Sequence, residues 1–195
     1  MSPRPGIRPG RLARWALPVI LLGAGIGLLG NQTWIRAKAV LASVLIERAF
    51  AAHLEDGAVH TPWSWADIHP IARLSTAGGK ISRIVLSGAS GSSLAFGPGH
   101  IDGTAPPNGY GNCAIAGHRD TWFRFLKDVQ QGDELTLTSR KGCTTYRVSS
   151  LLVVEQTDTS VLDSTPDVQL TLITCYPFNG LVGSRWRYVV VCEPV

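Results

Sequence analysis

Three residues that could act together on an acyl group stand at the ends of apolar runs in this sequence. Cys175 closes the run TLITC, His118 follows the run CAIAG, and Arg187 is the second residue of the run WRYVVVC. A cysteine thiolate is a nucleophile, and a histidine can protonate the amine that departs from the acyl group. A nearby arginine favours the thiolate form of a cysteine. These residues are therefore the candidate catalytic group.

The positions of Cys175 and Arg187 predict that they face each other. Side chains alternate along a strand, so Cys175 shares a face with Thr171 and Ile173. The segment 176–185 contains one proline and two glycines, which are typical of the turn of an antiparallel hairpin. If the strands before and after this turn pair, Arg187 lies opposite Cys175.

Among the five histidines, only His118 lies at the end of an apolar strand, a position from which a rigid scaffold can present a catalytic group. The other four lie in polar or glycine-rich segments and are interpreted as solvated side chains: His53, His60, His69 and His100. No CxxC, HxxxH or HExxH spacing occurs, and loop carboxylates are not clustered. We therefore expect no metal and no cofactor.

Short apolar or alternating runs predict strands throughout the C-terminal part of the chain. They cover 81–86, 113–116, 134–138, 144–148, 151–154, 169–175 and 186–192. A short helix is predicted at 120–128, with Asp120 as its N-cap. Six to eight strands at this spacing indicate an all-β domain, either a closed barrel or a sandwich.

The N-terminal part of the sequence has a different composition. Four arginines precede residue 15, no ionisable side chain lies in 15–35, and those 21 residues are long enough to cross a bilayer. A cleaved signal peptide and a buried core helix are the alternatives, and Arg36 and Lys38 argue against cleavage. The basic tail orients the N-terminus to the cytoplasm in either membrane interpretation.

The chain is therefore divided into four parts: a cytoplasmic basic tail at 1–14, a transmembrane anchor at 15–35, a helical stalk with a Trp-rich linker at 36–69, and a catalytic barrel at 70–195. The stalk helix should stop at Gly57, and the tryptophans of the linker should pack on the domain. The net charge of +4 comes from the tail, and the remaining acidic and basic residues balance. No basic run with interleaved aromatics follows, so a nucleic-acid partner is not expected.

Residues 116–119 (AGHR), residues 171–175 (TLITC) and Arg187 with the following YVVV resemble the three signatures of sortases, which are membrane-anchored cysteine transpeptidases. The resemblance covers about residues 70–195 and implies a sortase-like closed eight-stranded β-barrel with the site at one end. It also implies Cys175 as nucleophile, His118 as general acid/base and Arg187 as the group that stabilises the oxyanion or the substrate carbonyl. Arg185 is the alternative for that last role. The WSWAD segment and the TCYPF continuation resemble the class D-like proteobacterial subgroup.

The resemblance implies an enzyme of the cell inner membrane, single-pass, with its catalytic domain in the periplasm. Its partners would be the membrane, a secreted protein with an LPxTG-like C-terminal sorting signal, and an amine acceptor. An envelope L,D-transpeptidase is one alternative, although its SHGC-like segment is absent. A noncatalytic membrane-tethered β-domain that binds envelope proteins is another. Cys113, Cys143 and Cys192 are expected to be free thiols without a catalytic role.

Overall fold

The computed structural model describes residues 11–180 and 183–195. Its helices are α1 (Arg11–Asp56) and α2 (Gly91–Phe96). Its strands are β1 (Pro70–Thr76), β2 (Ser82–Leu86), β3 (Gly99–His100), β4 (Asn112–Ala116), β5 (Glu134–Ser139), β6 (Gly142–Glu155), β7 (Gln169–Tyr176) and β8 (Trp186–Pro194). Three short 3-10 helices cover Ala77–Gly79, Arg124–Asp128 and Ser160–Leu162.

The eight strands form a closed barrel in the order β1-β2-β3-β4-β7-β8-β6-β5, in which β5 pairs with β1. The pairs β2–β3 and β4–β7 are parallel, and the other neighbours are antiparallel. Closure leaves no unpaired edge strand. The prediction of a closed eight-stranded β-barrel is therefore confirmed.

Several predicted elements differ in extent from those observed. The runs 144–148 and 151–154 belong to one long strand, β6, whose pairing with β8 shifts between Val148 and Ser150. Such a shift is a β-bulge, which bends a strand and re-aims its side chains. The helix predicted at 120–128 is a 3-10 helix limited to Arg124–Asp128. The sequence pattern missed β1, α2 and the two-residue β3.

The barrel interior is filled by alternating apolar residues of the strands, among them Leu74, Leu137, Leu172 and Val190, each fully or almost fully buried. Burial of one such side chain stabilises the fold by about 1.5–3 kcal/mol. Phe123, from the segment after β4, closes part of this core. The interior is therefore a packed core, so a site must lie at the rim or on the outer surface.

Helix α1 ends before Gly57, whose φ of +73° is in the left-handed region that favours glycine, so the predicted stop is confirmed. The chain divides into two compact units, residues up to Ala42 and Ser43–Val195. In the second unit, Ile46 and Phe50 of α1 pack with Ile68 and with Ile84 and Leu86 of β2.

Within residues 11–180 and 183–195, no helix combines the length and the apolar character needed to span a membrane. The predicted transmembrane anchor at 15–35 is therefore not confirmed.

Two tryptophans of the Trp-rich linker differ in their burial. Trp63 packs edge-on against Phe96, with ring centroids 5.2 Å apart, whereas Trp65 is 84% exposed. The expected packing thus holds for Trp63 and is wrong for Trp65.

Candidate active site

Cys175 lies near the end of β7, between β4 on one side and β8 on the other. Leu170 and Leu172 of the same strand point into the barrel core. Alternation along the strand puts Cys175 on the outer face, as the sequence pattern predicts. The residue is only partly buried, so its thiol can be reached from solvent.

Arg187 is the direct cross-strand partner of Cys175 in the antiparallel β7–β8 pair, which confirms the predicted register. Its Nη1 donates to the Ser184 carbonyl at 2.6 Å, and its Nη2 donates to Gln156 Oε1 at 3.0 Å. Directly opposed residues have Cβ atoms about 4.5–5.5 Å apart and share a face of the sheet. These contacts hold the guanidinium at the rim of the barrel, bound to the loop before β8 and to the residue after β6.

Arg185 lies before the start of β8 and has no cross-strand partner in β7. Its side chain is exposed, and its guanidinium lies over the Trp186 ring, 5.5 Å from the centroid. The structure therefore places Arg187, and not Arg185, opposite Cys175.

His118 follows β4, which runs parallel to β7 with Ala116 beside Ile173. The contact continues one residue further, because the Gly117 amide donates to the Ile173 carbonyl at 3.1 Å and Thr174 Oγ1 donates to the Gly117 carbonyl at 2.7 Å. His118 and Cys175 each follow this linked pair, Gly117 and Thr174, by one residue. His118 is exposed at this rim of the barrel.

The structure thus places the three predicted residues at one end of three consecutive barrel strands. His118 comes two residues after the end of β4, Cys175 lies near the end of β7, and Arg187 lies near the start of β8. The strand that carries Cys175 is the middle one of the three, and neighbouring strands lie about 4.8 Å apart.

A cavity of about 610 Å³ lies near this end of the barrel; its lining includes Tyr176, the residue after Cys175, but none of the three candidate residues. One wall carries Asp120, Arg124 and Lys127 from the segment after His118, and the other is formed by Tyr176, Pro177, Phe178 and Asn179. The peptide bond between Tyr176 and Pro177 is cis. A cavity of this volume can hold a peptide segment of a few residues.

Comparison with known proteins assigns this arrangement to a family. The profile described as "Sortase domain" matches residues 75–195. The chain belongs to the sortase family. The matched region contains the candidate residues Cys175, His118 and Arg187, and it covers every barrel strand except the beginning of β1.

Individual sortases support the same assignment. Sortase D of Bacillus subtilis (strain 168) is 32% identical over 107 residues, which are 54% of this chain and 54% of the relative. Sortase A from Corynebacterium diphtheriae superposes with a TM-score of 0.60 at 30% identity, covering 67% of this chain and 63% of that one. A sortase D5 transpeptidase of Clostridium perfringens shares the fold, with a TM-score of 0.65 at 22% identity over 80% of this chain and 99% of that one. This sortase therefore spans about half the length of the curated sortase D that it matches.

Sequence reasoning missed three side chains of this sortase that surround the candidate site. Arg119 is 7% exposed and bonds to the loop after Cys175, Thr174 joins β7 to β4, and Gln156 bonds to Arg187. Asp120, expected to cap a helix, instead accepts from Arg119 Nε at 3.2 Å, and the helix begins only at Arg124. The sequence contains one signal for Arg119. This charged residue follows closely after a buried strand, and a charged side chain in such a place needs a polar partner nearby.

The other cysteines are free, as expected. Cys113 and Cys192 point into the core, and burial raises the pKa of each thiol to about 12. Cys143 is exposed and is the second residue of β6, where it pairs with Thr138 of β5. None of the three lies at the end of the barrel that holds Cys175, which leaves Cys175 as the candidate nucleophile.

The remaining histidines all have local partners. His53 bonds to the Ala58 carbonyl and His60 to Asp56. His69 and His100 are partly buried, and they bond to Ser87 and to the Ala105 carbonyl respectively. All four residues are partly buried and hydrogen-bonded, so the interpretation of them as solvated side chains is wrong.

Proposed function

We propose that this sortase is a cysteine transpeptidase that cleaves an LPxTG-like signal near the C-terminus of a secreted protein and transfers the acyl product to an amine. The observation that carries the proposal is that β7, which carries Cys175, lies between β4, which His118 follows, and β8, which carries Arg187 opposite Cys175. The similarity to sortase D supports a class D-like enzyme.

In the first half of the reaction, the Cys175 thiolate adds to the carbonyl carbon before the scissile bond. The carbonyl electron pair moves to oxygen, and the oxyanion is stabilised by the Arg187 guanidinium. His118 gives a proton to the departing amine as the C–N bond breaks. The products are a thioester on Cys175 and the free C-terminal fragment.

In the second half, the acceptor amine adds to the thioester carbonyl and loses a proton to His118. The C–S bond breaks, the thiolate of Cys175 returns, and a new amide joins the acceptor to the secreted protein. Protonated His118 is then ready for the next cycle. The departing amine takes its proton from His118, and the acceptor amine gives its proton to the same imidazole. The proposed reaction therefore uses no cofactor.

We also propose that residues 15–35 anchor the enzyme in the inner membrane, with the N-terminus cytoplasmic and the catalytic domain in the periplasm. The support is the uncharged stretch itself, the four preceding arginines and the exposed apolar side chains of the described helix, such as Trp15, Ile20 and Leu22. An anchored enzyme and an anchored substrate meet at raised effective concentration.

The test is incubation of the full chain in detergent with a sorting-signal peptide and an added amine, followed by mass spectrometry. We expect the C-terminal fragment, the amide of the added amine, and a thioester adduct on the protein. Cys175→Ala should abolish all three, whereas Cys143→Ala, which removes an exposed thiol elsewhere, should keep wild-type rates. Undiminished cleavage by Cys175→Ala would refute the proposal.

A further inference from the structure

Arg119 directly follows the candidate acid/base His118 and is one of the few buried charged residues in the described part of the chain. Its Nη1 donates to the Pro177 carbonyl at 2.6 Å, and its Nη2 donates to the Gly180 carbonyl. Its Nε donates to Asp120 Oδ1 at 3.2 Å, which supplies a compensating charge. A buried guanidinium is costly unless such partners satisfy it, so this arrangement is specific.

The two carbonyls that Arg119 binds belong to the loop that leaves β7 two residues after Cys175. One side chain therefore ties the segment that carries His118 to the segment that follows Cys175. The same loop forms one wall of the 610 Å³ cavity, and the residues after Arg119 form the other wall. Apart from Thr174, Arg119 makes the side-chain hydrogen bonds that join the two segments at this rim.

We propose that Arg119 is a positioning residue for the reaction. Its guanidinium holds the loop after Cys175 against the His118 segment, which fixes the width of the cavity and the orientation of a bound peptide toward the sulfur. The described hydrogen bonds of Arg119 go to the loop and to Asp120 and not to the thiol or the imidazole, so Arg119 acts through the loop. This inference rests on the proposed transpeptidase function of the same site.

The geometry requires arginine at this position. Two carbonyls three residues apart are met by two separate nitrogens of one planar fork, which the single ammonium of lysine cannot reproduce. The loop also lies close to the guanidinium, since a Cβ at Gly180 would lie 2.9 Å from Arg119 Nη1. Arg119→Lys and Gly180→Ala therefore disturb one contact from its two sides.

The experiment compares wild type, Arg119→Lys, Gly180→Ala and the double variant in sorting-signal cleavage. Arg147→Lys is the matched control, because Arg147 makes an exposed ion pair with Glu134 on distant strands. We expect kcat/KM to fall at least ten-fold in each single variant and to stay within two-fold of wild type in the control. The double variant should be no slower than the slower single variant, since both changes break the same contact.

A second readout separates positioning from general loss of structure. Alkylation of Cys175 by iodoacetamide needs no loop, so its rate should stay within two-fold of wild type in all variants. Parallel loss of alkylation and cleavage would overturn the proposal, as would an Arg119→Lys variant that cleaves within two-fold of wild type. Multiplicative effects in the double variant would also overturn it.

Hydrogen exchange tests the contact without any substrate. The Gly180 amide donates to the Pro177 carbonyl at 3.1 Å and should exchange at least ten-fold faster in Arg119→Lys than in wild type. Unchanged exchange would overturn the role of Arg119. If wild type cleaves no sorting-signal peptide, the proposed function fails, whereas the exchange result still decides whether Arg119 holds the loop.

Discussion

Cys175 and Arg187 are direct cross-strand partners in the β7–β8 pair, at the end of the barrel where β4 also ends. The pairing explains how an arginine can stand in a run of valines. Its side chain leaves the sheet on the outer face, and its guanidinium donates to Ser184 and Gln156. Two residues with eleven others between them in the sequence are thereby fixed on one face.

Arg187→Ala should lower kcat/KM for sorting-signal cleavage by about 10²–10³, because removal of a donor to a developing oxyanion has an effect of that size. Arg185→Ala is the matched control and should stay within a few-fold of wild type, since Arg185 lies over Trp186 and has no partner in β7. Steady-state kinetics with a fluorogenic peptide measures both. A larger loss in Arg185→Ala would reverse the assignment of the two arginines.

Two of the four thiols should react with an alkylating reagent, and the other two should be protected from it. At pH 8, iodoacetamide should modify Cys175 and Cys143, whereas Cys113 and Cys192 should remain unmodified. Burial raises the pKa of Cys113 and of Cys192 to about 12, so at pH 8 about one in 10⁴ of each thiol is in the thiolate form. Peptide mass spectrometry gives the sites.

Raising the pH from 7 to 9 should leave the two core thiols protected, because both pH values lie well below their raised pKa. In denaturant all four thiols should react. Modification of Cys113 before Cys143 in the folded protein would contradict the observed burial.

Gly117→Ala should destabilise the fold and reduce activity. A Cβ at this position would lie 2.8 Å from the Phe123 ring, which is fully buried, so the ring or the backbone before His118 must move. Overpacking of this kind costs about 1–3 kcal/mol. Denaturant unfolding and peptide cleavage measure the two effects.

Gly91→Ala is the control for that substitution, because a Cβ there meets no atom within 4 Å. Its free energy of unfolding should lie within about 0.5 kcal/mol of wild type. Equal stability of the two alanine variants would show that the Phe123 contact imposes no constraint.

Thr174→Val should weaken the junction between β7 and β4. The change removes the buried Thr174 hydroxyl that donates to the Gly117 carbonyl at 2.7 Å, and an unsatisfied buried carbonyl costs about 1–3 kcal/mol. Thr174→Ser keeps the donor and should lose less stability. Urea unfolding of wild type, Thr174→Val and Thr174→Ser measures the three free energies of unfolding. A valine variant as stable as wild type would argue against this bond.

Local features of the site could be read from the sequence. The alternation in 169–175 determined the face of Cys175, and the turn residues of 176–185 determined that Arg187 lies opposite it. Gly57 likewise marked the end of α1. These inferences succeeded because strand alternation, tight turns and helix ends depend on neighbouring residues. The closed barrel itself was predicted from the resemblance to sortases, whereas periodicity left barrel and sandwich open.

Only the tertiary structure decided which strand lies on the other side of β7. It is β4, whose residues precede their partners by 57 positions, and this pairing puts His118 and Cys175 at the same end of the barrel. The structure also revealed Arg119, whose partners lie 58 and 61 residues away, and it replaced the expected helix cap at Asp120 with an ion pair. Such contacts depend on the packing of the whole barrel, which no short segment specifies, because the free energy of a nonlocal pair includes closure of the chain between its partners.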